Sequence, residues 1–112
     1  TPIKSSAASD VYKRQNPDYS TSSGKATQDR LFLLSVKEMN KYLSSNSKRR
    51  CKSTDYAVAN GAKGNYCSWW LRSPGAYQSY ATEVFSTGEI YTKGGGVGAI
   101  GAVRPAMWIS LA

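Results

Sequence analysis

The sequence predicts an α+β domain: one or two short helices followed by a small antiparallel sheet. Three observations predict it. Helix signals fall early, as a capping box at residues 35–38 and a Thr54 cap with Gly61 past the helix end. From residue 68 onward, short β-rich runs alternate with Gly, Pro and Ser. The length, 112 residues, allows one domain and not two.

Residues 16–28 are polar and rich in Ser, Thr and Gly, and read as a loop. Arg30-Leu-Phe-Leu-Leu34 is a short apolar run that reads as a buried strand. Ser35-Val-Lys-Glu38 fits a capping box, with Leu34 and Met39 at staple spacing. The strand therefore hands over directly to a helix over about residues 36–43, with Met39, Tyr42 and Leu43 as its inner face. Residues 44–53 read as a polar, basic loop. Thr54 is placed to cap a second short helix, and Gly61 stands just past its end.

Residues 62–66 read as a loop and 68–72 as a strand. Residues 82–85 and 89–92 flank Ser86-Thr-Gly88, a hairpin pattern. Gly94-Gly-Gly96 reads as a flexible turn. A closing strand is expected over residues 102–111, with Val103, Met107, Ile109 and Leu111 alternating against Arg104, Ala106, Trp108 and Ser110. Pro105 confines its start to a sheet edge or bulge.

Composition excludes several chemistries. The chain has no histidine, so hydrolytic triads lack their usual base. Its two cysteines, Cys51 and Cys67, form no CxxC and do not make up a zinc site. They read as a disulfide if the chain is exported, or otherwise as two free thiols. Gly94-Gly-Gly-Val-Gly98 is followed by no Gly-Lys-Ser/Thr and is no phosphate cradle. No catalytic residue, metal or cofactor is expected. No apolar run reaches the roughly 20 residues of a membrane span. The net charge is +8, but it is spread out. The one dense cluster, Lys48-Arg-Arg-Cys-Lys52, reads as a solvated loop, and no nucleic-acid partner is expected.

The stretch CSWWLRSPG, residues 67–75, carries the strongest structural signal. Neighbours in a strand point to opposite faces, so Trp69 and Trp70 cannot share a pocket. One belongs in the core; the other covers the opposite face, against a helix or a missing half of the domain. Pro74-Gly75 ends the strand. Arg72 and Arg104 stand beside large apolar groups and need partners, with Asp55 the first candidate and Glu83 the second.

FLLS at 32–35, TDYA at 54–57, WWLRSPG at 69–75, the hairpin around Gly88 and VRPAMWI at 103–109 occur in one order. Together they resemble a bacterial domain-of-unknown-function family, numbered 6273. That family is common in gut bacteria and often occurs in surface or exported proteins. It looks related to the C-type-lectin-like fold, in the branch with formylglycine-generating enzymes and retroelement-diversified variable proteins. The resemblance covers about residues 29–112. It implies the C-terminal half of such a domain, and so an incomplete one. Ser5 to Gln15, SSAASDVYKRQ, resembles read-through of a sequencing adapter. Residues 1–15 are therefore set aside as an artefact or a disordered polar tail.

The calcium motifs of sugar-binding C-type lectins do not occur in the sequence, and Asn16-Pro-Asp18 is read as a chance likeness. Cys51 and Cys67 lie outside the matched motifs, so formylglycine-generating activity is not carried over. The resulting expectation is a non-enzymatic recognition or structural module of a bacterial cell-surface or extracellular protein. Its ligand, a protein or a glycan, would meet loops 76–80, 87–88 and 93–99. Tyr77, Gln78, Tyr80 and Lys93 are the candidate contacts, and Trp69, Trp70, Arg72, Arg104, Asp55 and Trp108 the structural motif. The alternative is half of an enzyme on the formylglycine-generating scaffold, with its active residues further upstream.

Overall fold

The structure, a computed structural model, describes residues 12–25 and 29–109. Residues 1–11 of the segment set aside above lie outside the described residues. So do residues 26–28 of the polar loop and 110–112, including Ser110 and Leu111 of the expected closing strand.

The capping box forms. Ser35 Oγ accepts from the Glu38 N–H at 3.2 Å, and Glu38 Oε1 accepts from the Ser35 N–H at 2.9 Å. Helix α1 follows over Val36–Tyr42. Its buried apolar side chains are Val36 and Met39. Tyr42, expected on the inner face, is exposed and meets Trp108 edge-on at 5.8 Å. Thr54 Oγ1 accepts from the Ala57 N–H at 3.1 Å and caps a second predicted helix, Asp55–Ala59, with Gly61 past its end at φ +103°.

The stretch expected as a basic loop is more ordered than its composition suggests. It holds helix α2, Asn46–Arg49, and strand β1, Cys51–Lys52; the Asp55–Ala59 helix is then α3. The reason is Arg49. Its guanidinium donates to Leu43 O, Asn46 Oδ1 and Gly88 O at 2.9, 2.6 and 2.8 Å. One of those partners lies 39 residues away and is invisible to any local pattern.

Strand β2, Tyr66–Cys67, pairs antiparallel with β1. Strands β3 (Trp69–Pro74), β4 (Tyr80–Val84) and β5 (Ile90–Gly96) form an antiparallel sheet in that order. The β4–β5 hairpin turns at Gly88, φ +90°, where a side chain would collide with the Asn46 carbonyl. Gly94 to Gly96 lie in β5, not in a turn. Both flanking strands shift register opposite Thr82 of β4. Gly94, at φ +77°, takes up the shift in β5, where a Cβ would strike the Ala81 carbonyl. The buried Thr82 hydroxyl fills the irregularity by donating to Ser73 O at 2.9 Å.

Among the described residues, the runs expected to be strands, 30–34 and the 102–109 part of the closing segment, are not strands. They share the free edge of β3 instead. The Arg72 N–H donates to Leu34 O, and the Trp70 N–H to Ala102 O, both at 3.0 Å. Phe32 and Ala106 are joined to each other by an isolated antiparallel bridge. With only single bridges to hold, the alternation of the last segment has no sheet to face. Val103, Met107 and Ile109, expected inside, are 66%, 55% and 67% exposed. The core is Val36, Met39, Trp69, Leu71 and Val84, with Leu34, Leu43, Cys51, Ile90 and Ala102 packed around it.

Candidate functional site

Strand β3 alternates as a half-covered strand must: Trp69, Leu71 and Ser73 are buried, while Trp70, Arg72 and Pro74 are half-buried. Trp69 lies in the core. Its indole N–H donates to Arg49 O at 3.0 Å, and the Arg104 guanidinium lies 4.9 Å from its ring centroid. Trp70 faces the other way, between two glycines. A side chain at Gly101 would collide with its indole nitrogen, and one at Gly95 would touch its ring at 3.7 Å. The chain's own Gly101 segment therefore covers Trp70, rather than a helix.

The expected arginine partners are corrected. Arg72 Nη2 meets Glu38 Oε1 at 3.1 Å, and the guanidinium lies 5.0 Å from the Phe32 ring centroid. Glu38 thus closes the helix cap and neutralises an arginine from the sheet. Asp55 is exposed in the first turn of α3, where its charge complements the helix dipole. Arg104 rests on an aromatic face instead of a carboxylate. Its Nη1 is buried and makes no hydrogen bond among the described residues. Trp108 is exposed and stands against Phe32, Tyr42 and Lys13, at 6.4, 5.8 and 5.8 Å.

The candidate ligand contacts gather at one end of the sheet. Tyr77 and Tyr80 meet edge to face at 5.1 Å. Their turn is closed by Tyr80 N–H to Tyr77 O at 3.0 Å and Gly75 N–H to Tyr80 O at 2.8 Å. Gln78 Nε2 donates to Ser22 O at 3.1 Å. Lys93, exposed at the β5 irregularity, accepts at its carbonyl from the Ala76 N–H at 2.9 Å. The Val97 N–H reaches Ser79 O at 2.9 Å and adds the 97–99 turn to the group. Loop 87–88 does not join it; that turn lies at the opposite end of β4, against α2.

Asn16, read as part of a chance likeness, holds this end together. It is buried, and its Nδ2 donates to Pro74 O at 2.9 Å and Thr92 O at 2.7 Å. Its Oδ1 accepts from the Asp18 N–H at 2.8 Å, an Asx-turn that Asn-Pro-Asp could have announced. Thr21 Oγ1 adds a bond to Gly75 O at 2.7 Å. The result is a fixed turn that carries exposed Tyr77 against half-buried Tyr80, with Gln78 on the same turn and Lys93 on the neighbouring strand. This arrangement suits contact with a ligand.

A family model described as "Domain of unknown function (DUF6273)" matches residues 6–111. The chain belongs to the DUF6273 family. The match takes in every motif from FLLS to VRPAMWI. No curated protein and no solved structure compared with the DUF6273 chain matches it. Among its described residues no helix is long and apolar enough to cross a membrane, and no group of three or more His, Cys, Asp or Glu could hold a metal.

Among the described residues, the Glu83 carboxyl is perturbed by its surroundings. Glu83 lies across the sheet from Trp70 on one side and Tyr91 on the other. Burial pushes its carboxyl pKa up. A raised carboxyl pKa favours the protonated fold, so this group supports stability below its unfolded pKa. That support is lost as pH rises through the folded pKa. Glu83→Gln should therefore melt at a higher temperature than the parent at about pH 7, with the difference closing near pH 4. Thermal melts at both pH values check this. A parent that is the more stable at neutral pH would contradict it.

Proposed function

We propose that the DUF6273 chain is a non-enzymatic recognition module with a C-type-lectin-like fold, carried by a bacterial surface or exported protein. The observation that carries this reading is the Tyr77–Tyr80 pair on its hydrogen-bonded turn. Tyrosine offers a large amphipathic contact area with only two side-chain torsions to freeze. Tyr77 is 58% exposed in a turn that the backbone already holds, so little ordering is left for binding. Gln78 and Lys93 supply polar contacts beside it. The ligand that suits such a face is a glycan or a protein surface.

The test uses Tyr77→Ala and Lys93→Ala on a glycan array and in capture from bacterial and host surface extracts. Tyr77→Ala should weaken binding about tenfold or more, as removal of an aromatic anchor does. Its melting temperature should stay near that of the parent, because the ring is exposed. Signal on the array identifies a glycan, and signal from extracts alone a protein. Parent-like binding by both variants would place the ligand face elsewhere.

A further inference from the structure

We propose that Cys51 and Cys67 form a disulfide site: a reversible cross-strand bond that fastens the β1–β2 ribbon over the core. The two residues stand directly opposite in the antiparallel register, and both are thiols in the structure. Opposed residues of an antiparallel pair project to the same side, with Cα atoms about 4.5–5.5 Å apart. A disulfide accepts Cα separations of roughly 4.4–6.8 Å, so no strand has to move. The Cys67 sulfur already lies 3.8 Å from the Cys51 carbonyl oxygen and so points across the ribbon.

The register is held from both ends. Beyond the pair, the Ser53 N–H donates to Asn65 O at 2.7 Å. Before it, Arg50 lies 4.7 Å from the Tyr66 ring centroid, and the Trp69 indole is bonded to Arg49 O at 3.0 Å. A one-residue slip would send the two sulfurs to opposite faces. These contacts resist it.

The exposures set the order of events. Cys51 is half-buried and Cys67 only 4% exposed, so an oxidant meets Cys51 first. The oxidant we name is a small disulfide such as glutathione disulfide. The Cys51 thiolate attacks one of its sulfurs, which forms a mixed disulfide and expels one small thiol. Cys67, deprotonated, then attacks the Cys51 sulfur and expels the second. Two electrons pass from the cysteine pair to the oxidant, and the two cysteine protons end on the two released thiols. Lys48, Arg50 and Lys52 are exposed around Cys51 and would draw an anionic disulfide to it. This assigns a role to the one dense basic cluster. The bond closes a loop that contains α3. Because Cys51 packs on the core cluster, it also ties that loop to the core. The inference does not depend on which ligand the tyrosine face binds.

The experiment holds the folded chain in glutathione buffers of graded redox poise and reads intact mass and non-reduced peptide maps. The expected product is a folded monomer lighter by two hydrogens, with the Cys51 and Cys67 peptides linked. Its melting temperature should exceed that of the reduced chain by on the order of 10 °C, and a dithiol should reverse both changes. Cys67→Ser should instead keep glutathione on Cys51. Free thiols throughout, stable glutathione adducts on the parent chain, or a linkage between chains would each overturn the proposal.

Discussion

Replacing Trp69 with alanine should cost about 3–5 kcal/mol of unfolding free energy, the usual range for a large buried aromatic. Trp69 is fully buried and belongs to the core cluster with Val36, Met39, Leu71 and Val84. Two further losses act in the same direction. The Arg49 carbonyl loses its indole donor, and Arg104 loses the ring face it rests on. A domain of this size is commonly stable by only about 5–15 kcal/mol, so this one change would bring it near unfolding. Trp70→Ala should be milder, about 1–2 kcal/mol, because its ring is half-buried against backbone glycines. Urea titrations of both variants measure the contrast. Equal losses at the two positions would mean that the core and covering roles are wrongly divided.

Glu38→Ala should be the second most damaging change, costing about 2–4 kcal/mol. The Arg72–Glu38 pair is largely buried, with side chains 16% and 6% exposed. Truncating the carboxylate removes one charged partner of Arg72 and opens the capping box at the start of α1. Glu38→Gln separates the two effects: glutamine at this position can still close the box, but it cannot neutralise the arginine. Its loss should fall between those of the parent and the alanine variant. Asp55→Ala should cost about 0.5 kcal/mol, the scale of one exposed charge at a helix start. The idea fails if Glu38→Ala proves as mild as Asp55→Ala in the same urea series.

These two sites also mark what the sequence made legible. The capping box, the Thr54 cap and the hairpin at Gly88 all depend on residues within a few positions of one another, and the structure has all three. Opposite faces for Trp69 and Trp70 followed from strand geometry alone. The partner of Arg72 did not, because nothing in local spacing ranks Glu38 above Asp55 or Glu83. The cap already accounts for Glu38 in the local pattern, and its second role, toward Arg72, depends on the fold. The runs at 30–34 and 102–111 look like strands because they are apolar, yet among the described residues each meets β3 at only one or two positions. Gly94 to Gly96 signalled a turn, whereas the close approach of Ala81 demanded glycine within a strand. At the candidate ligand face, Tyr77, Gln78, Tyr80 and Lys93 could be named from their residue types. The clamp from Asn16 that sets their positions spans 58 and 76 residues, and only the fold reveals it.

The shared edge of β3 has a consequence for how the domain assembles and opens. The β4–β5 hairpin can form from neighbouring residues, but the cover on β3 must be gathered from Leu34 and Ala102, at distant points of the chain. Contacts of such long sequence separation carry a large loop-closure cost and tend to form late. By the same logic, they are the first to open in transient excursions from the native state. Each opening would bare the N–H groups of Trp70 and Arg72 along a strand rich in aromatic and apolar side chains. A bared edge of that kind is a template for pairing with another molecule. The two-piece cover is therefore this domain's guard against self-association, and weakening either piece should show itself as aggregation before it shows as loss of fold.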